Sequence, residues 1–161
     1  MIVILADPAA LHAALPRNQR LLGLDLGDKT IGLALSDPGL SVASPVTTIK
    51  RTKFTADATA LLKLAAERGV GGLVIGLPLN MDGSEGPRCQ STRQFAANLL
   101  KLKDFPILFW DERMSTMAVE RAMIAHDVTR ARRDKVMDQA AAAFILQGAL
   151  DALARTKASS D

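Results

Sequence analysis

A chain of 161 residues, 48% of them apolar, is long enough to bury one core and leaves no room for a second large domain. Its 20 Lys and Arg against 17 Asp and Glu give a formal charge of +3 and a pI near 9.3, which permits a polyanionic partner without requiring one. The single cysteine, Cys89, excludes an internal disulfide and, with no His or metal-ligand spacing beside it, reads as a passive thiol in a reducing compartment.

The opening stretch MIVILADPAALHAALP lacks a basic n-region, and Asp7 and Pro8 break its apolar run, so residues 1–19 read as a cytosolic extension rather than an export signal. No segment approaches the roughly 18 uninterrupted apolar residues of a membrane span, and the expectation is a soluble, cytoplasmic protein with no membrane partner. RLLGLDLG and TIGLALS, within residues 20–36, predict two strands of a hairpin turning at Asp28 and Lys29. VASPVTTI at 42–49 follows a turn around Asp37, Pro38 and Gly39 and completes a three-strand antiparallel meander.

From here the pattern alternates. Helical spacing over about 54–68 ends at Gly69, before a buried strand GLVIGL at 72–77. A long loop, PLNMDGSEGP, leads to a helix over about 88–103, a strand PILFW at 106–110, a helix over about 115–126 and a last helix over about 131–155. Three antiparallel strands followed by two joined through helical crossovers predict an α/β fold with a five-stranded mixed sheet flanked by helices. The domain is expected over 20–156, with a short polar tail, 157–161, disordered.

Three acidic positions carry the chemical signal. Asp25 interrupts the apolar LLGLDLG, where an ionised carboxylate needs a cation or hydrogen bonds; alternation puts it on one face with Gly23 and Gly27, which leave space for a metal ion or a phosphate. An Asp bonded to a nearby backbone turn is the alternative. PILFW ends in Asp111 and Glu112, followed by Arg113, Ser115 and Thr116; such acids can build a site at a strand end or complement a helix dipole above a Ser115 cap. In the last helix Asp138 shares a face with Ala141, Ala142 and Ile145, small enough for close docking, although an ordinary boundary Asp would also sit in these turns. Separate carboxylates without a His or Cys cluster suit Mg²⁺ or Mn²⁺ rather than zinc, and two such ions can serve phosphodiester hydrolysis.

The strings GLDLGDKTIGLALSD, GLPLNMDGSEGP, DERMST and DQAAAAFILQ, in this order, resemble the YqgF family of RNase H-like nucleases over about 20–150. The resemblance implies the RNase H-like fold, catalytic and metal-binding acids at Asp25, Glu112 and Asp138, and processing of the 5′ end of precursor 16S ribosomal RNA. Resolution of Holliday junctions is an older assignment for its relatives. It does not settle Asp111, a second-ranked ligand whose side chain alternates to the other face if the strand continues.

Nucleic-acid contacts are expected from Lys29, from Asn80, Ser84 and Arg88 in and after the long loop, and from Arg113, Arg130, Arg132 and Arg133. Basic runs at Lys50, Arg51 and Lys53 and at Lys135 could add phosphate contacts, or form solvated faces. The partner is then precursor rRNA, or branched DNA, bound by a monomer or homodimer. Two other classes stay open: an actin-like nucleotide-binding protein, which LDLGDKTIG also resembles, and a noncatalytic nucleic-acid-binding module.

Overall fold

The structure, a computed structural model, describes residues 4–5, 7–16, 18–80, 82–111 and 130–160, and excludes the side chains of 4–5, 130–137 and 156–160. Its scaffold is the expected five-stranded mixed sheet. The leucine-rich β2 (Arg20–Leu26) and β3 (Thr30–Ser36) form the hairpin, closed by Gly27 N–H donating to Thr30 O at 2.9 Å. Strand β4 (Ala43–Lys50) completes the antiparallel meander, while β5 (Val70–Leu77) and β6 (Ile107–Asp111) run parallel to β2. The two-residue β1 (Ile4–Leu5) adds a sixth strand parallel to β6, giving the order β1-β6-β5-β2-β3-β4.

Alternation along the strands sorts their side chains into two layers. Leu22, Leu24, Leu33, Leu73 and Ile75 point to the face covered by α2 (Phe54–Arg68) and α3 (Pro87–Leu100), where they meet Leu61, Phe95 and Leu99. Leu21, Ala34, Val74 and Leu108 point the other way, to Ala142, Ile145 and Leu146 of α4 (Arg130–Ser160) and to Leu11 of α1 (Pro8–Ala14). Each fully buried Leu or Ile is worth about 1.5–3 kcal/mol of transfer free energy. The Asp7–Pro8 pair that breaks the apolar run is a helix start: the Asp7 carboxylate accepts from Ala10 N–H at 2.8 Å, and Pro8 takes the first helical position.

Helix α2 stops at Gly69, whose φ of +67° is the left-handed cap that the sequence predicts. Helix α4 continues to Ser160, into residues read from sequence as a disordered tail; Lys157, Ala158, Ser159 and Ser160 contain no Gly or Pro to stop it. The helix predicted over 115–126 lies outside the described residues.

The packing of α4 depends on glycine. A Cβ on Gly23 would lie 2.8 Å from Leu146 Cβ and 2.9 Å from Ala142 O, and one on Gly32 would overlap the main-chain carbonyl of Asp138. Helix backbone therefore rests almost directly on strand backbone. Gly32→Ala should push α4 off β3, an overpacking cost of about 1–3 kcal/mol, and a thermal melt should show a loss of several degrees.

At the opposite end of the hairpin, Asp37 organises the β3–β4 turn by accepting from Ser41 N–H at 2.7 Å, Val42 N–H at 2.9 Å and Ser41 Oγ at 3.0 Å. The amides of Val42 and Ser41 hold its carboxyl down, from 3.8 to about 2. A carboxylate whose folded pKa is depressed contributes stability that is present above its unfolded value and is lost as pH falls through the folded one. Acid titration followed by circular dichroism should show wild type losing this contribution between about pH 4 and 2; Asp37→Ala should be less stable at pH 7 and lose less over that interval.

Candidate active site

Asp25 lies one residue from the end of β2, half-buried, in register with Gly32 of β3. Directly opposed residues of an antiparallel pair project to the same face with Cβ positions roughly 4.5–5.5 Å apart. The Gly32 position projects onto α4, so Asp25 projects to the α4 face, beyond Gly23, the other glycine under that helix. Leu24 and Leu26, its neighbours in sequence, face α2 and α3. The space that the sequence suggests beside Asp25 is closed on the Gly23 side, where Leu146 Cβ and Ala142 O of α4 lie 2.8 and 2.9 Å from the position of an added Cβ.

The same glycine seats the second acid. Asp138 rests its main-chain carbonyl on Gly32, and its Oδ2 accepts a hydrogen bond of 2.6 Å from Thr30 Oγ1, two residues along the same face of β3. That short bond fixes the Asp138 rotamer toward the hairpin end of the sheet. Asp25 and Asp138, 113 positions apart in the chain, thereby reach one face at one level, both half-buried. Sequence reasoning missed Thr30; its alternation with Gly32 was visible, but not the helix that crosses both.

Asp111 ends β6, paired with Leu77. Trp110 packs on the α4 face against the Gly148 position and Phe109 on the other, so Asp111 projects toward the α2–α3 side, away from Asp25, and is exposed. Glu112 and Arg113 lie outside the described residues, as do the side chains of Arg130, Arg132 and Arg133. Among the described residues no three His, Cys, Asp or Glu side chains gather as a metal-holding group.

The long loop bonds to itself. Asn80 Nδ2 donates to Ser84 Oγ at 3.0 Å, Ser84 N–H and Oγ donate to Asp82 Oδ1 at 2.9 and 2.6 Å, and Gly83 takes φ +89° between them. Asn80 and Ser84 are thus held together on the surface rather than spread along an open connector. Beside the loop, Glu85 and Arg93 form a bidentate pair at 2.7 and 2.9 Å. The Arg93 guanidinium holds the Glu85 carboxyl below its ordinary range, and Glu85 raises Arg93 in turn. Lys29 is exposed at the hairpin turn, and Arg88, in the first turn of α3, donates to Leu26 O at 3.3 Å. Cys89 is buried and donates to Pro78 O at 3.3 Å, in keeping with a passive thiol. Among the described residues no helix is long and apolar enough to cross a membrane.

Similarity to known proteins identifies the family and the fold. A protein of Rhodospirillum centenum named "Putative pre-16S rRNA nuclease" is 64% identical over 148 residues, covering 89% of this chain and 79% of that one. One of the same name from Roseobacter denitrificans is 58% identical over 161 residues and covers 99% of both. Among solved structures, the yeast mitochondrial Holliday junction resolvase Ydc2 superposes with a TM-score of 0.53 at 13% identity, over 92% of this chain and 84% of that one. RuvC of Thermus thermophilus gives 0.51 at 12%, over 86% and 97%. At these identities the two structures speak for the fold alone, the RNase H-like fold of RuvC. The sequence profile described as "RuvX: Holliday junction resolvase" matches residues 19–152, and the chain belongs to the RuvX family.

Proposed function

We propose that the chain is a metal-dependent endonuclease that hydrolyses phosphodiester bonds of RNA in the cytoplasm, with the precursor of 16S ribosomal RNA as its substrate. The observation that carries this reading is the convergence of Asp25 and Asp138 over Gly32 on one face of an RNase H-like sheet. The substrate is suggested by the names of the relatives, two of which match 89% and 99% of this chain.

The donor chemistry fits Mg²⁺ or Mn²⁺: two carboxylates at one level of one face, the second held by a hydroxyl, offer the oxygen ligands that hard cations take. Asp25 and Asp138 would hold the metal together with Glu112, the third acid of the family pattern, and Asp111, projecting to the other side of the sheet, stands outside this set. Two such ions, when bound, supply an activated water and neutralise charge on the leaving oxygen. The chain's own part is positioning. Thr30 keeps Asp138 in one rotamer, Gly23 and Gly32 keep α4 at the depth where that rotamer reaches the strand end, and the leucines behind β2 keep the strand fixed. Lys29, Arg88, Arg113, Arg130, Arg132 and Arg133 would contact phosphates, and the Asn80–Ser84 turn would meet a sugar or phosphate of the same strand.

A second reading, resolution of four-way DNA junctions, is favoured by the description of the matching family. Purified protein should cleave precursor 16S RNA with Mg²⁺ or Mn²⁺ and lose the activity in EDTA. Asp25→Asn should lower the cleavage rate at least about 1000-fold while leaving the protein folded. Intact precursor RNA beside symmetrically cut four-way junctions would replace the first reading by the second, and an Asp25→Asn protein of wild-type activity would contradict both.

A further inference from the structure

Across the end of β2 from Asp25, on the α3 side of the sheet, a cleft is lined by the backbone of Leu26 and Gly27 and by Asp28, Arg51, Arg88 and Ser91. Both arginines are anchored in it. Arg51 Nη1 donates to Gly27 O at 2.7 Å with the guanidinium 5.7 Å from the centre of the Phe95 ring, and Arg88 Nη2 donates to Leu26 O at 3.3 Å. These are the last carbonyl of the strand that carries Asp25 and the one that follows it, and each bond uses one of a guanidinium's five donors.

Two like charges in one cleft repel, and structural arginines are normally offset by carboxylates. Neither of these has an ion pair among the described residues, where the salt bridge is Arg93 to Glu85. The acid in the cleft, Asp28, is exposed and leaves the four side chains at a net +1. The first turn of α3 adds to the positive potential: it holds no acid, and its cap, Gly86, has no side chain to bond the helix amides. The backbone is braced as well. Arg51 N–H donates to Lys29 O at 2.8 Å, and the buried Asp57 accepts from Thr52 N–H and Oγ1, each at 3.1 Å, fixing the segment that delivers Arg51.

We propose that this cleft seats a phosphate of the RNA backbone next to the one cleaved at Asp25 and Asp138, so that the substrate strand crosses the end of β2 from one face of the sheet to the other. The inference rests on the nuclease reading and adds where the strand runs. Asp25 and Asp28 are three residues apart, a span of at most about 10 Å, so the two seats are close enough for neighbouring phosphates. Contacts of this kind give affinity and register without reading sequence.

The test is anisotropy of a labelled single-stranded RNA titrated with full-length protein in EDTA over a series of KCl concentrations. Arg88→Gln should weaken binding about tenfold at low salt and lower the slope of log affinity against log salt by about 0.7, the share of one phosphate contact in a single strand. Arg88→Lys should restore most of the slope. Ser91→Asp, a surface change that adds an anion to the cleft without removing an anchor, should weaken binding, and Asp28→Asn should tighten it. These last two keep the test decisive if Arg88→Gln unfolds. Wild-type slope and affinity in Arg88→Gln and Ser91→Asp, in a protein that binds and cleaves RNA, would overturn the phosphate seat alone. RNA binding with an Arg88-dependent slope but no cleavage would overturn the nuclease reading alone, and no RNA binding by wild type would overturn both.

Discussion

The contact on which the site depends is that of a helix backbone on a strand backbone. Helix α4 lies over β2 and β3 where Gly23 and Gly32 have no side chains, and at Gly32 the approach is so close that one added carbon would collide with the main chain of Asp138. Side chains of ordinary size would hold the two layers farther apart, as they do on the α2–α3 side, where Leu24, Leu61 and Phe95 fill the gap. The alanines of α4 serve the same end from the helix side, Ala142 being fully buried against the sheet.

This close contact turns a packing solution into an arrangement of charge. Asp138 belongs to the turn of α4 that rests on Gly32, and Asp25 is the residue paired with Gly32, so the depth of the helix sets the separation of the two carboxylates. The Thr30 hydroxyl holds Asp138 in place by its hydrogen bond. On the proposed reading, a divalent cation bound by both acids would stabilise the folded chain by binding it in preference to the unfolded one. On the other side of the strand end the excess is of opposite sign, with Arg51 and Arg88 anchored by Gly27 and Leu26 carbonyls. A strand tip acidic on one face and basic on the other suits a polyanion that must be both bound and hydrolysed.

Much of this was legible in the sequence because it rests on local patterns. The meander, the Gly69 cap, the buried β5 and the projection of Asp25 beside two glycines follow from alternation, turn residues and helical spacing. The alanine face around Asp138 correctly implied close docking. What α4 docks against was not legible, since the pairing of Asp138 with Thr30 and Gly32 joins elements more than 100 positions apart. Arg51 was visible only as part of a basic run; that it turns back to Gly27, next to a Thr52 held by the buried Asp57 of α2, is not revealed by periodicity. The opening extension read as an appendage, yet Leu11 is fully buried against α4, because a seven-residue helix starting at Pro8 suffices to cover the end of that layer.

The central claim is that Asp25 and Asp138 act on a common divalent cation. Calorimetric titration of Mn²⁺ into wild type, Asp25→Asn, Asp138→Asn and the double variant tests it as a thermodynamic cycle. The account predicts that each single change weakens binding at least about tenfold and that the double variant is little weaker than the worse single one, because either loss breaks the same site. Two independent, additive losses, or Mn²⁺ affinity unchanged by both substitutions, would contradict it.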